Sequence, residues 1–158
     1  MPNYFLDTSA LAKLYHKEGG SEYMERMVTE PGSRCIISPL SIVEMESALA
    51  LKLRTGEING RQVEIARRGL RADLSQRRLA VAPPIRASHL HAARLLVAKY
   101  GAAEGLRTLD AVQLAIALDL QQAGLISVFV TSDQRLCRVA MLAGCQAINP
   151  EKPGPVVV

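Results

Sequence analysis

The chain has 158 residues, 49% of them apolar and 22% charged, with a net charge of +4. These proportions suit one soluble globular domain with its own core, and they exclude a disordered chain or a disulfide scaffold. No apolar run approaches the ~18 residues that span a bilayer. The N-terminus carries no basic signal region. Cys35, Cys137 and Cys145 lack C-x-x-C spacing, so they read as free buried thiols in a reducing, cytoplasmic compartment.

Tyr4, Phe5 and Leu6 form a short apolar run that ends at Asp7. Residues 9–16 carry Leu11, Ala12, Leu14 and Tyr15 at helical spacing, and Gly19-Gly20 breaks the pattern. Ser21 reads as the N-cap of a helix over 22–30 that Pro31-Gly32 ends. Cys35-Ile36-Ile37 is a strand candidate, followed by Ser38 as N-cap and Pro39 at the first helical position. That helix runs to about Arg54. Asn59-Gly60 signals a turn before an Arg-rich helical pattern over 61–78. Residues 79–82 form the next short strand, closed by Pro83-Pro84. A helix over 85–100 has Leu90, Ala93, Leu96 and Val97 on one stripe, and 101–105 reads as a break. A helix from Thr108 to Gln122 is stopped by Gly124. Residues 127–131 are the clearest strand, β-branched and aromatic. A helix over 133–143 with Gly144 as its C-cap precedes a last edge strand at Ala147-Ile148. The tail over 149–158, with Pro150, Pro153 and Pro155, is expected to hang off the domain. Short apolar strands alternating with helices imply an α/β fold, a mostly parallel sheet with helices on both faces.

In such sheets ligands bind beyond the carboxyl ends of the strands, and acids recur there. Asp7 closes the first strand, and Asp133 lies just past the strand over 127–131. Asp110 falls in the first turn of its helix, where the dipole favours a carboxylate, yet it interrupts a stripe continuing through Leu114, Ala117 and Leu118. Glu44 likewise interrupts Leu40, Ala48 and Leu51, with no basic neighbour in sequence. Singly, Asp7 reads equally as an N-cap, and Asp110 and Asp133 as first-turn acids. Converging, they would repel: two unit charges about 5 Å apart at an effective dielectric of ~20 cost roughly 3 kcal/mol. A hard divalent ion, Mg²⁺ or Mn²⁺, is the natural answer. It would bridge carboxylates to phosphate oxygens and activate a water for attack on phosphorus. Thr8, Ser9, Thr131 and Ser132 lie beside the acids and either fix waters or phosphates or serve as caps.

Four segments in order resemble the motifs of PIN-domain ribonucleases. They are Tyr4 to Leu11 around Asp7, Ser41-Ile42-Val43-Glu44, Leu106 to Ala115 around Asp110, and Phe129 to Leu136 around Asp133. The compact layout is most similar to the VapC toxins of toxin–antitoxin pairs. The resemblance covers nearly the whole chain, with 1–148 as the PIN domain and 149–158 as a Pro-rich tail. It implies a three-layer α/β/α sandwich, a Mg²⁺- or Mn²⁺-dependent endoribonuclease, a homodimer, and inhibition by a VapB-like antitoxin. Carried over, Asp7 and Asp110 are the principal metal ligands. Glu44 and Asp133 complete the acidic pocket, directly or through water, with Thr131 or Ser132 supporting the fourth acid.

Arg61, Arg67, Arg68, Arg71, Arg77 and Arg78 share one segment, and Arg67, Arg68 and Arg71 are candidate RNA contacts or simply a solvated face. Aromatic residues make up 4% with no Trp, so base stacking is not the expected recognition mode. His89 and His91, two apart on a helix, do not face one another and suggest no zinc site. Ser9 lacks the G-x-S-x-G setting of a serine hydrolase, and no phosphate-binding glycine motif is present. Two alternatives to RNA hydrolysis stand: a non-catalytic RNA-binding or regulatory module, and a phosphotransferase with Asp7 as nucleophile. The second is weakened because its usual D-x-D motif has Ser9 in the second acid's place.

Overall fold

The computed structural model describes residues 2–154. Pro155, the last proline of the expected tail, lies outside the described residues.

Five strands form one sheet: β1 (Asn3–Leu6), β2 (Arg34–Ile37), β3 (Leu79–Val81), β4 (Val128–Val130) and β5 (Ala147–Ile148). The order is β3-β2-β1-β4-β5, and every neighbouring pair is parallel. Seven helices accompany them: α1 (Thr8–Ala12), α2 (Ser21–Thr29), α3 (Pro39–Arg54), α4 (Gly60–Ser75), α5 (Ala87–Glu104), α6 (Thr108–Gln122) and α7 (Gln134–Leu142). From β1 the chain steps outward to β2 and β3, then returns to the other side of β1 for β4 and β5. Right-handed crossovers place helices on opposite faces for opposite directions of travel. The core divides accordingly. Tyr4, Leu6, Cys35, Ile37, Val128 and Val130 meet α1, α2, α4 and the Met45–Leu49 side of α3. Phe5, Ile36 and Phe129 meet α5, α6 and α7. Alternate side chains of each strand therefore feed different cores, which is why the strands are apolar throughout. Phe5 and Phe129 stack across β1 and β4 with ring centroids 5.8 Å apart.

The chain follows the expected order of elements, with local departures that have physical causes. The helix expected over 9–16 stops after Ala12. Gly20, at φ 89°, precedes α2 in place of the expected Ser21, and the Ser21 hydroxyl accepts from the Glu18 N–H instead. Asn59 is the N-cap of α4 in a reciprocal capping box with Gln62, so the expected turn is a helix start. Helix α4 ends at Ser75, before Arg77 at φ 60°. The expected break over 101–105 is helical to Glu104, because Gly105 alone takes the left-handed cap at φ 73°. Of the stripe residues, Leu51 and Leu90 lie exposed.

The three cysteines are free, Cys35 and Cys145 buried and Cys137 partly so. Burial pushes the Cys35 thiol up to about 12 and the Cys145 thiol up to about 11. The tail does not leave the domain at residue 149. Asn149 is buried, and Glu151 reaches Lys13 at 2.7 Å. Among the described residues no helix is long and apolar enough to cross a membrane.

Candidate active site

The strand order reverses between β1 and β4, and the crevice at the carboxyl ends of such a pair is where open α/β sheets bind ligands. Leu6 and Val130 are register partners, so Asp7 and Thr131 leave the sheet side by side. The Asp7 N–H still donates to the Val130 carbonyl, at 3.0 Å. Asp7 caps α1, its Oδ1 accepting from the Ala10 N–H at 2.9 Å and from the Ser9 hydroxyl at 2.6 Å. Its Oδ2 accepts from the Thr131 hydroxyl at 2.6 Å. The Ser9 Oγ in turn accepts from the Ser132 N–H at 3.0 Å, and the Thr131 Oγ1 from the Asp133 N–H at 3.1 Å. Hydroxyls thus lace the first acid to the loop bearing the fourth.

Capping accounts for part of this arrangement. Asp7 caps α1, and Asp133 caps α7 by accepting from the N–H groups of Arg135 and Leu136. It does not account for the depth of Asp7, which is 4% exposed. Burial raises its carboxyl from 3.8 to about 6, against the pull of the Ser9, Thr131 and Ala10 donors, and the field of Asp110 adds to the rise.

Glu44 is held from the opposite wall. Its Oε1 accepts from the Thr8 hydroxyl at 3.0 Å and from the Gln113 amide at 2.8 Å. Gln113 is 2% exposed and also bridges to α3, donating to the Ser41 Oγ and accepting from the Ser38 Oγ, each at 2.9 Å. Three residues earlier on the same helix stands Asp110, on the same face. Its carboxyl is raised by burial and by the fields of Asp133 and Glu44, while Arg107 opposes the rise. Arg107 is largely exposed, and its Nε stands 3.8 Å away.

The fold therefore gathers Asp7, Thr8, Glu44, Asp110, Thr131, Ser132 and Asp133 from four separate stretches of chain. The hydroxyl of Ser9 joins them. Gln113, which ties Glu44 to α6, does not stand out as a site residue in the sequence. A signal for it exists all the same: a lone amide inside the run Leu109 to Ala117, one turn after Asp110. The arginines of α4 stand elsewhere. Arg67 forks onto Glu46 through Nε and Nη2 and donates to Glu64 through Nη1. Arg68 and Arg71 are exposed, and their fields act on Glu64 and, for Arg71, also on Glu46.

The donor set of the site is all oxygen, which suits a hard divalent cation rather than zinc. Among the described residues, however, no three His, Cys, Asp or Glu side chains form a ready-made metal cage.

The sequence profile of the PIN domain matches residues 4–142, from β1 to the end of α7. The chain belongs to the PIN-domain family. The match takes in Asp7, Glu44, Asp110 and Asp133 and leaves β5 and the tail outside it. Comparison with the curated proteins finds no match. Among solved structures, this PIN domain is similar to VapC20 of Mycobacterium tuberculosis, a sarcin-ricin loop cleaving toxin. The TM-score is 0.64 at 18% identity, covering 96% of this chain and 99% of that one. VapBC2 of Rickettsia felis, bound to a DNA fragment from its promoter, gives 0.61 at 17% identity over 87% of this chain and 92% of that one. PAE2754 of Pyrobaculum aerophilum gives 0.55 at 23% identity over 87% and 84%. At these identities the likeness establishes a shared fold.

Proposed function

We propose that this PIN domain is a Mg²⁺- or Mn²⁺-dependent endoribonuclease and the VapC-like toxin of a toxin–antitoxin pair. The observation that carries the reading is a buried Asp7, tied by hydroxyls to the Asp133 loop, at the sheet's switch point, with Glu44 bonded to Thr8 beside it. Burial raises Asp7 to about 6, with Asp110 adding to the rise, and burial, then Asp133 and Glu44, raises Asp110. Such perturbed, converging acids mark functional sites more often than structural ones. The resemblance to VapC20 and to the VapBC2 complex supports the toxin assignment and an antitoxin partner of the VapB kind. A homodimer and a cytoplasmic location follow from the same family reading.

Asp7, Asp110 and Asp133 are the residues that would hold the cation, with Glu44 completing the pocket directly or through water. When bound, the ion would polarise the scissile phosphodiester and supply a hydroxide at neutral pH. The chain's own part is positioning. Ser9 and Thr131 fix both oxygens of Asp7, so the carboxylate keeps one orientation. Thr131 and Ser132 tie the loop of Asp133 to that carboxylate, directly and through Ser9. Gln113 donates to Glu44, which keeps that acid an acceptor turned toward α6. The same bonds weigh against Asp7 as a phosphoryl nucleophile, because attack would require it to shed strong hydroxyl donors. Arg68 and Arg71 are proposed to hold the RNA backbone as exposed cations. Arg67, already forked onto Glu46 and Glu64, is the weakest of the three candidates.

Sequencing the 5′ ends of cellular RNA after induction tests the reading. New ends must appear with the wild type and be missing with Asp7→Asn. Wild-type and variant profiles that coincide would favour a binding module.

A further inference from the structure

Lys13 follows α1 directly and is 3% exposed. A buried ammonium is costly unless paired, and its partners define its role. Its Nζ donates to Glu18 at 3.2 Å and, more closely, to Glu151 at 2.7 Å. Glu18 belongs to the same loop. Glu151 comes from beyond β5, 138 residues away in sequence. The short segment that carries Glu151 is itself ordered by side chains. The Oδ1 of Asn149 accepts from the Glu151 N–H at 2.9 Å, and its Nδ2 donates to the Ser132 carbonyl at 3.4 Å. Pro150 lies against Gly20, where a Cβ would come within 3.0 Å of the Pro150 carbonyl.

These contacts end on two particular places. Lys13 closes the helix that Asp7 opens. Ser132 stands between Thr131 and Asp133, with its N–H on Ser9. Residues 149–151 therefore join, from outside, the two loops that the hydroxyls lace from inside. We propose that Lys13, Asn149 and Glu151 form a clasp that fixes the Asp7 loop against the Asp133 loop, and that they act as positioning residues for the acidic site. The clasp acts through the backbone at Ser132 and through α1, without touching substrate. A charge-assisted contact with one buried partner is the strong kind. The Asn149 amide restrains the Ser132 carbonyl where the chain turns from β4 into α7. The proposal rests on the reading that these acids perform the chemistry, and it adds a segment outside the profile match.

Two measurements on Asn149→Ala and Glu151→Gln test it. In amide hydrogen exchange, the N–H groups of Ser132 and Asp133 are expected to exchange about tenfold faster, with those of β2 unchanged. In RNA cleavage well below the melting temperature, kcat is expected to fall about tenfold while KM moves less than about twofold. Lys13→Met is the harsher variant, and Glu151→Gln keeps the test alive if it does not fold. Unchanged exchange at Ser132 and Asp133 overturns the clasp, and so does acceleration spread evenly over the chain. Local acceleration with unaltered kcat in an active protein also overturns it. If the wild type cleaves no RNA, the proposed function fails, and exchange alone decides the clasp.

Discussion

Glu46 and Glu64 on the α3–α4 face and Asp7 and Asp110 at the end of the sheet are all carboxylates, yet their proton affinities move in opposite directions. The first two are held below the usual range, chiefly by hydrogen bonds from Arg67. The second two are raised, chiefly by burial, with Asp110 adding to the rise of Asp7 and Asp133 and Glu44 to that of Asp110. On the exposed face each acid has a cation beside it, and solvent screens such pairs so that they contribute little to stability. At the sheet's end the acids have hydroxyls, an amide and other acids, with Arg107 at the rim. Capping of α1 and α7 stabilises the fold, but burying Asp7 and Asp110 among other acids opposes it. The presence of that arrangement at the switch point is explained if a cation is part of the working site.

The comparison breaks most visibly in the acids themselves. Asp7→Asn or Asp110→Asn is expected to lower RNA cleavage by at least about 100-fold with the circular dichroism spectrum intact. Activity within a few-fold of the wild type would make Asp7 an ordinary N-cap and Asp110 an ordinary first-turn acid.

The next largest effect is on stability. The Asp7 carboxyl titrates at about 6 in the fold against an ordinary value of 3.8, so the folded state binds this proton more tightly than the unfolded chain. In excess chelator its contribution is therefore most favourable below about pH 4 and is lost as pH rises to about 6. The loss amounts to at most about 3 kcal/mol. Asp7→Asn should remove that pH dependence and melt higher than the wild type at pH 7 without divalent ions. Thermal denaturation at several pH values reads it, and a variant that melts lower throughout contradicts the burial argument.

Gln113→Leu sharpens the contrast on the polar side. It strips donors from Glu44 and Ser41 and an acceptor from Ser38, which should cost about 1–3 kcal/mol in chemical denaturation. Cleavage should fall about 10- to 100-fold as Glu44 loses its orientation. The smallest effects belong to the arginine face. Arg67→Ala is expected to leave the midpoint of chemical denaturation nearly unchanged, because its ion pairs are exposed and screened. Arg68→Ala with Arg71→Ala should reduce the salt slope of RNA binding by about two, because each cation removed leaves one phosphate without its partner. An unchanged slope would return these residues to the role of a solvated face.

The fold is readily legible in the sequence because its signals are local. Ser38 and Pro39 announce a helix start by capping, and the strand at β4 is β-branched and aromatic. The acids Asp7 and Asp133 are legible because they follow apolar strands directly. Less legible are features fixed by partners distant in the chain. Gln113 looks like one polar residue in an apolar helix until α3 brings Ser38, Ser41 and Glu44 to it. Gly20 rather than Ser21 precedes α2, with the Ser21 hydroxyl turned to the Glu18 N–H, and the Pro150 backbone crowds the space a Cβ at position 20 would need. Nothing near Lys13 in the sequence points to Glu151, which reaches it from the far end of the chain. The arginines over 61–78 read as RNA contacts or as a solvated face, and only the structure shows Arg67 engaged with Glu46 and Glu64, and Arg78 with Asp73 and Glu25.

Cleavage of RNA by the purified protein in excess chelator, and again after Mg²⁺ or Mn²⁺ is restored, tests the central claim most directly. The acidic site predicts no cleavage above that of Asp7→Asn in chelator and full recovery with either ion. Cleavage at the wild-type rate in chelator would contradict it.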